Sequence, residues 1–384
     1  MSGIYIHIPF CKKKCIYCNF YSIVSTKNRE QYVGALLKEI KVQSSRFKVQ
    51  LPLTSASGLM EINTIYFGGG TPSLLSVHSL EKILNNIHEN FEVANDIECT
   101  IEGNPEQLTL DYVTDLRKIG FNRISIGIQS FNDDILRFLG RTHSGKDALF
   151  AVENAQKAGF ENISIDLIYG IYLRSAQQWV HEIERTFQLP VKHLSAYSLT
   201  VEENTLLYQK IAQQKIQNID EEQSLKEMDR LIEETEKHGF EHYEVSNFAL
   251  KNYHSKHNSN YWNGTPYFGF GASAHSFTGN TRSWNIANVE KYIQAMDENV
   301  PCFETEQLTS VEKYNEYVLL RLRTKNGINL IELEDCFGKE ARNHFIQTLK
   351  NINPHYFRQQ SHYISITKDG LPLLDYISAT LMLD

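Results

Sequence analysis

Residues 5–18 read YIHIPFCKKKCIYC. A short apolar-rich run, Ile4–Ile8, has the look of a strand and leads straight into Cys11, Cys15 and Cys18 in C-x3-C-x2-C spacing. A loop this tight can present three thiolates to three irons of one cubane [4Fe–4S] cluster. The fourth iron is then left without a protein ligand. It is free to chelate the amino and carboxylate groups of S-adenosylmethionine (SAM), whose sulfonium C–S bond breaks on reduction of the cluster. The competing reading is zinc, but closed structural zinc takes four Cys or His ligands in paired spacings. The sequence contains no second cysteine pair.

Outward from this loop, β-rich runs alternate with helical stretches. Strands are expected at Ile4–Ile8, Ile62–Phe67, Ile97–Ile101, Arg123–Ile128, Asn162–Ile168, His193–Leu199 and His242–Val245. Helical periodicity marks Leu80–His88, Leu108–Ile119, Ala148–Ala158 and Ser175–Phe187, two of them followed by a stop glycine, Gly120 and Gly159. Repeated strand–helix order requires a parallel sheet with helical crossovers. The fold class is therefore α/β, a partial or complete (β/α) barrel, whose chemistry sits at the C-terminal strand ends. Polar residues collect at those ends: Gly68-Gly69-Gly70-Thr71-Pro72 after the second strand, Glu102 on the third, Gln129 on the fourth and Asp166 on the fifth. A break is expected after Pro301. Residues 1–301 then form the barrel and residues 302–384 a small α/β accessory domain of winged-helix type. That domain has helices at Val311–Leu322, Leu330–Phe337 and Ala341–Asn351 and a strand pair near Tyr356–Thr367.

The net charge of −8 argues against nucleic acid as the main partner, because phosphate binding needs a basic face. No apolar run approaches the roughly 20 residues needed to span a bilayer. The first residues lack the pattern of a signal peptide, so the expected location is the cytoplasm. Cys99, Cys302 and Cys336 are isolated in sequence and read as small buried hydrophobes.

Taken together, Tyr5–Cys18, Tyr66–Ser73 (YFGGGTPS), Glu102–Pro105 (EGNP), Ile124–Phe131 (ISIGIQSF), Asp166–Gly170 (DLIYG) and Tyr243–Trp262 resemble the radical-SAM family of oxygen-independent coproporphyrinogen III oxidase and the heme chaperone HemW. The resemblance covers nearly the whole chain. It implies that Tyr5 lies near the methionine moiety of SAM and Tyr17 beside its adenine, and that Gly69, Gly70 and Thr71 approach its carboxylate. Glu102 is implied as a further SAM contact, and Gln129, Arg141 and Asp166 as polar contacts of a second nucleotide site. Read alone, Gly68–Gly70 would be a strand-to-helix turn, Arg141 a surface ion pair, and Glu102 and Asp166 helix caps.

Three features separate the two relatives. Cys18 is followed by Asn19-Phe20, where the oxidase pattern has a further cysteine. The motif begins at residue 11, which leaves no room for the oxidase's N-terminal extension. His257-Asn258-Ser259-Asn260-Tyr261-Trp262 matches the H-N-x-x-Y-W pattern of the heme chaperone. An imidazole is a good axial ligand for heme iron and the two aromatics suit a macrocycle face, so His257 is the expected heme contact, with His275 second. The resemblance implies client hemoproteins, among them respiratory enzymes with transient membrane contact, and a low-potential electron donor. The alternative is a coproporphyrinogen oxidase. After Asp166–Gly170 the family continues Leu-Pro-Gly-Gln, but this chain has Ile171-Tyr172-Leu173-Arg174, so that loop lacks its usual turn.

Overall fold

The structure is a computed structural model and describes residues 2–25, 27–50 and 61–383. Six strands run parallel in chain order: β1 (Ser2–Ile8), β2 (Glu61–Gly69), β3 (Glu92–Gly103), β4 (Arg123–Gln129), β5 (Asn162–Tyr169) and β6 (His193–Ser198). The crossovers carry α1 (Arg29–Gln50), α2 (Val77–Asn90), α3 (Leu110–Lys118), α4 (Asp133–Leu139), α5 (Gly145–Lys157) and α6 (Ala176–Phe187). Past β6 follow α7 (Leu206–Ala212), α8 (Glu221–Lys237), β7 (Glu241–Glu244), β8 (Asn247–Ala249) and α9 (Lys256–Trp262). Next come β9 (Tyr267–Phe270), β10 (His275–Phe277), β11 (Thr281–Asn285), α10 (Val289–Glu298) and β12 (Phe303–Gln307).

The described strands join in one twelve-stranded sheet. β8 and β7 add antiparallel beyond β6, while β9 pairs parallel to β1 and leads to β10, β11 and β12 on the other side. Since β7 and β12 are the two edges, the barrel is partial and not closed.

What positions the site is the alternation along these strands. Successive side chains face opposite sides of a sheet. One phase is apolar and fully buried: Ile4, Ile6 and Ile8 on β1, Ile65 and Phe67 on β2, Ile124, Ile126 and Ile128 on β4, Ile163, Ile165 and Leu167 on β5. It packs with Leu80, Ile83 and Ile87 of α2 and with Ala148, Val152 and Ala155 of α5 in a single core. The other phase is polar: Tyr5 and His7, Thr64 and Tyr66, Glu98, Thr100 and Glu102, Arg123 and Ser125, Ser164 and Asp166, His193 and Ser195. A (β/α) barrel usually fills its interior with branched apolar side chains. Here the inner face carries hydroxyls, carboxylates and imidazoles, which makes it a chamber with binding groups.

β12 pairs antiparallel with β11, from Thr281↔Gln307 to Asn285↔Phe303, so the sheet runs past Pro301. We place the division after Gln307. Beyond it, α11 (Ser310–Leu322), α12 (Leu330–Leu349) and α13 (Leu374–Leu381) pack with a three-stranded sheet, Ile328–Asn329, Phe357–Gln360 and Tyr363–Ile366, about a separate core. The two helices expected at 330–337 and 341–351 meet at Gly338, whose φ of 87° and ψ of 169° kink α12. No helix among the described residues is long and apolar enough to cross a membrane.

The loop after β5, where the sequence departs from the family pattern, is held by charge. Arg174 is buried and its Nη1 donates to Glu182 Oε2 at 2.9 Å, its Nη2 to Glu227 Oε2 at 2.7 Å. The guanidinium also lies 4.1 Å from the Trp179 ring. Glu227 in turn accepts the Gly170 amide at 2.7 Å, and Glu182 accepts the Phe131 amide at 3.2 Å. Arg174 thus ties the ends of β4 and β5 to α6 and α8. Removing one member of a buried ion cluster leaves the others uncompensated. Arg174→Met should therefore cost about 3–5 kcal/mol, read as a lower urea midpoint with an unchanged slope. A loss below about 1 kcal/mol would show that the cluster does not hold this loop.

Candidate functional site

The cysteine loop leaves the end of β1 and is fastened at its base. Residues Phe10–Cys11 pair parallel with Ile23–Val24, and the Ile23 amide donates to Pro9 O at 2.8 Å. Within the loop, buried Ile16 is the anchor: its amide donates to Leu139 O at 3.1 Å and its carbonyl accepts the Leu207 amide at 2.8 Å. With Ile16 turned inward against α4 and α7, Cys11, Cys15 and Cys18 are left half-buried and Lys12, Lys13 and Lys14 exposed.

The glycine turn after β2 supports this loop from behind. A Cβ on Gly70 would lie 2.8 Å from Phe10 O and 2.8 Å from Pro9 C, so only glycine permits the approach. The Gly70 amide donates to Ile8 O at 2.9 Å. That donor is taken up by the protein, which corrects the expectation that it faces a carboxylate. Gly70 seats the cysteine loop instead. The Gly69 amide bonds the Glu102 carboxylate.

Two cysteine sulfurs receive hydrogen bonds from a connected polar chain. Thr71 Oγ1 donates to Cys11 Sγ at 3.6 Å, and Arg141 Nη1 to Cys15 Sγ at 3.6 Å. Asn104 joins the two: its Nδ2 donates to Thr71 Oγ1 at 3.3 Å and its Oδ1 accepts from Arg141 Nη2 at 2.7 Å. Arg141 Nη2 also donates to Gly127 O at 2.6 Å. Arg141 is therefore no surface ion pair. Donors aimed at sulfur fit thiolate ligands of an iron–sulfur cluster, whose potential such bonds tune. Among the described residues no trio of His, Cys, Asp and Glu side chains surrounds a single-ion site. Burial raises the Cys11 and Cys18 thiols above their ordinary values, and the Thr71 hydroxyl draws Cys11 back.

Deeper in the chamber, Tyr5 stacks on Tyr66 with centroids 6.2 Å apart, and Tyr66 on His257 at 4.9 Å. Tyr66 Oη donates to Glu102 Oε1 at 2.7 Å. Burial pushes Glu102 up to about 7, with the Tyr66 bond opposing and Asp166 adding to the rise. Asp166 accepts from Ser125 Oγ at 3.1 Å and is likewise raised by burial. Neither acid is a helix cap. Gln129 stands at a register shift between β4 and β5 with φ of 67°, a left-handed conformation that turns its side chain toward Gly127, Arg141 and Asn104. Tyr17 packs against the apolar cluster of Ile135, Leu139 and Leu207.

His257 joins the cluster of Tyr5 and Tyr66 from α9. The first amides of that helix bond Glu98, midway along β3: Lys256 N to Oε2 at 3.1 Å and His257 N to Oε1 at 3.0 Å. A carboxylate there also complements the helix dipole. The imidazole is buried, with Nδ1 2.9 Å from Thr64 Oγ1 and Nε2 3.0 Å from Tyr261 Oη. Burial first and the Arg123 charge second press its pKa down to about 3, so the ring is neutral. Both ring nitrogens face hydroxyls, and through them His257 fastens α9 to β2. His275 is exposed on β10 and stacks on Trp284.

Sequence reading brought together Cys11, Cys15, Cys18, Thr71 and Arg141, and missed Asn104, Tyr66, Glu98 and Arg123. Tyr66, Glu98 and Arg123 share one signal, polar side chains at every second position of a buried parallel strand, while Asn104 begins the turn just past β3.

The chain matches the model of the Radical SAM superfamily over residues 5–185. The heme chaperone HemW of Bacillus subtilis is 34% identical over 355 residues, covering 92% of this chain and 91% of that protein. HemW of Lactococcus lactis is 31% identical over 385 residues, covering 100% of this chain and 98% of its own length. The structure of Escherichia coli coproporphyrinogen III oxidase superposes with a TM-score of 0.83 at 24% identity, covering 99% of this chain and 90% of that one, and so shares the fold. The chain belongs to the family of the heme chaperone HemW, within the Radical SAM superfamily.

Proposed function

We propose that this protein is a heme chaperone: it takes up heme, keeps a SAM-binding [4Fe–4S] centre, and hands heme to client hemoproteins. One observation carries the choice over the oxidase: curated relatives named as heme chaperones are 34% and 31% identical over nearly the whole chain, whereas the oxidase structure is 24% identical and shares the fold. The H-N-x-x-Y-W residues form α9, whose His257 reaches into the chamber and stacks on Tyr66.

In this reading Cys11, Cys15 and Cys18 hold the cluster, which supplies one iron open to the amino and carboxylate groups of SAM. Thr71, Asn104 and Arg141 set the orientation and charge around the sulfurs. Tyr5, Tyr17, Gly69 and Glu102 line the SAM site, with Gln129 and Asp166 beside it, and Gly70 seats the loop that carries the thiols. The clients are hemoproteins that include respiratory enzymes at a membrane, approached from the cytoplasm. A low-potential reductant serves the cluster.

Incubated without oxygen with reductant, SAM and coproporphyrinogen III, the reconstituted protein should yield no protoporphyrinogen IX, while its hemin-loaded form should restore absorbance to an apo-hemoprotein. Formation of protoporphyrinogen would overturn the chaperone reading. Replacing any of the three cysteines by alanine should abolish the visible thiolate-to-iron absorption and bound iron. Arg141→Ala should keep the iron but shift the cluster to a more negative potential, since a cation donating to sulfur favours the reduced state. An EPR-monitored redox titration reads this, and an unchanged potential would remove Arg141 from the role.

A further inference from the structure

Lys12, Lys13 and Lys14 fill the span between Cys11 and Cys15, and all three side chains are exposed. Among the described residues none of them forms an ion pair, whereas Lys38, Lys226 and Lys256 elsewhere on the surface meet Asp297, Glu222 and Asp96. The run is a local positive patch on a chain whose net charge is −8. It stands on a fixed mount, because the loop is paired at its base with Ile23–Val24 and anchored in the middle by buried Ile16.

Two open apolar side chains accompany the lysines. Val24, registered with Cys11, is 60% exposed, and Phe20, two residues past Cys18, is 70% exposed. An apolar spot rimmed by charge is the usual make-up of a contact surface. This face also adjoins the last thiol of the motif. Burial raises Cys18, and the Phe20 amide and the Lys14 charge both draw it back down, so each acts on that sulfur from close by.

We infer that this face is the docking surface for an acidic protein that carries single electrons, and that the carrier reduces the cluster here, on the Cys18 side of the loop. This rests on the reading of Cys11, Cys15 and Cys18 as cluster ligands and names the kind of partner that reaches them. One electron leaves the reduced carrier and one is gained by the oxidised cluster; no bond is made or broken at the contact. An acidic partner is repelled by the rest of a net-negative chain and attracted at the lysines. Charge therefore selects the one orientation that brings it to the thiolates. A contact built on Lys12, Lys13, Lys14, Phe20 and Val24 is small, as suits electron-transfer encounters, which bury less than about 1,200 Å². The patch is too sparse for a membrane, since lipid-binding clusters carry roughly 4–8 Lys or Arg.

The test is anaerobic stopped-flow reduction of the cluster-loaded, full-length protein by a reduced flavodoxin, an acidic flavin carrier, followed through the flavin absorbance. Photoreduced deazariboflavin, a small uncharged reductant, serves as the comparison. At low salt the combined variant Lys12→Glu, Lys13→Glu, Lys14→Glu should slow the flavodoxin reaction by about tenfold or more and leave the deazariboflavin reaction unchanged. The wild-type rate with flavodoxin should fall as salt screens the charges, and the variant should lose that dependence. Phe20→Ala should slow the reaction several-fold and keep the salt dependence. An unchanged flavodoxin rate and salt dependence in the triple variant would overturn the docking surface, as would equal slowing with both reductants. Capture of the wild type by anionic lipid vesicles, with the flavodoxin rate indifferent to the lysines, would assign them to a membrane instead and overturn it too. Absence of any reducible cluster in the wild type would sink the cluster reading beneath the proposal.

Discussion

A polar phase on the inner face of a buried parallel sheet is the constraint from which the rest follows. Strands covered by helices would ordinarily be apolar on both faces. Here one face supplies the core and the other must satisfy hydroxyls, carboxylates and imidazoles away from bulk water. Each unpaired group of that kind costs roughly 1–3 kcal/mol, so neighbours across the strands are matched. Tyr66 meets Glu102, Ser125 meets Asp166, and Ser164 lies 2.8 Å from His193 Nδ1. These pairs span adjacent or nearby strands and fix their relative curvature as much as the backbone ladder does. Arg123, buried among them with Nε and Nη1 unpartnered, supplies a cation close enough to bear on Tyr66, Glu102, Asp166 and His257 alike.

At the upper end the same logic is carried by small residues and a single ring of bonds. The turn after β2 is glycine because the backbone of residues 8–10 lies against it, and that contact sets where Cys11 leaves the sheet. Thr71, Asn104 and Arg141 then link two sulfurs that are distant in sequence. The ends of β2 and β3 and the segment after α4 contribute to this ring. A loop of three cysteines is flexible alone; tied to β2, β3 and the segment after α4, it has a defined shape before any iron arrives.

The fold was legible because its signals are local. Strand–helix alternation, the stop glycines and the C-x3-C-x2-C spacing each depend on a few neighbouring residues, and the strands found in the structure overlap every one expected. What could not be read were relations between distant segments. Nothing near Pro301 shows that Phe303–Gln307 will pair with Thr281–Asn285, because edge-strand pairing is settled by what the partner leaves open. The role of Arg174 was hidden for the same reason: its two carboxylates come from α6 and α8. Sequence flagged this loop as a departure from its family, and the departure turns out to be a different fastening and not a gap. Asn104 was quoted within a motif yet given no task, since its partners, Thr71 after β2 and Arg141 after α4, lie far along the chain.

His257 shows most clearly how identity and role separate. As a letter in a motif it reads as an iron ligand, the common use of a neutral imidazole. In the structure that neutrality serves another purpose. A ring whose pKa is pressed down to about 3 keeps one donor and one acceptor nitrogen across the physiological range. It can therefore bridge two hydroxyls, Thr64 on β2 and Tyr261 one turn along its own helix. A charged ring would offer two donors in a place already close to Arg123, and an amide of similar polarity could not stack on Tyr66. Histidine at this position seats α9 against β2 and closes the inner face of the chamber beside Tyr66.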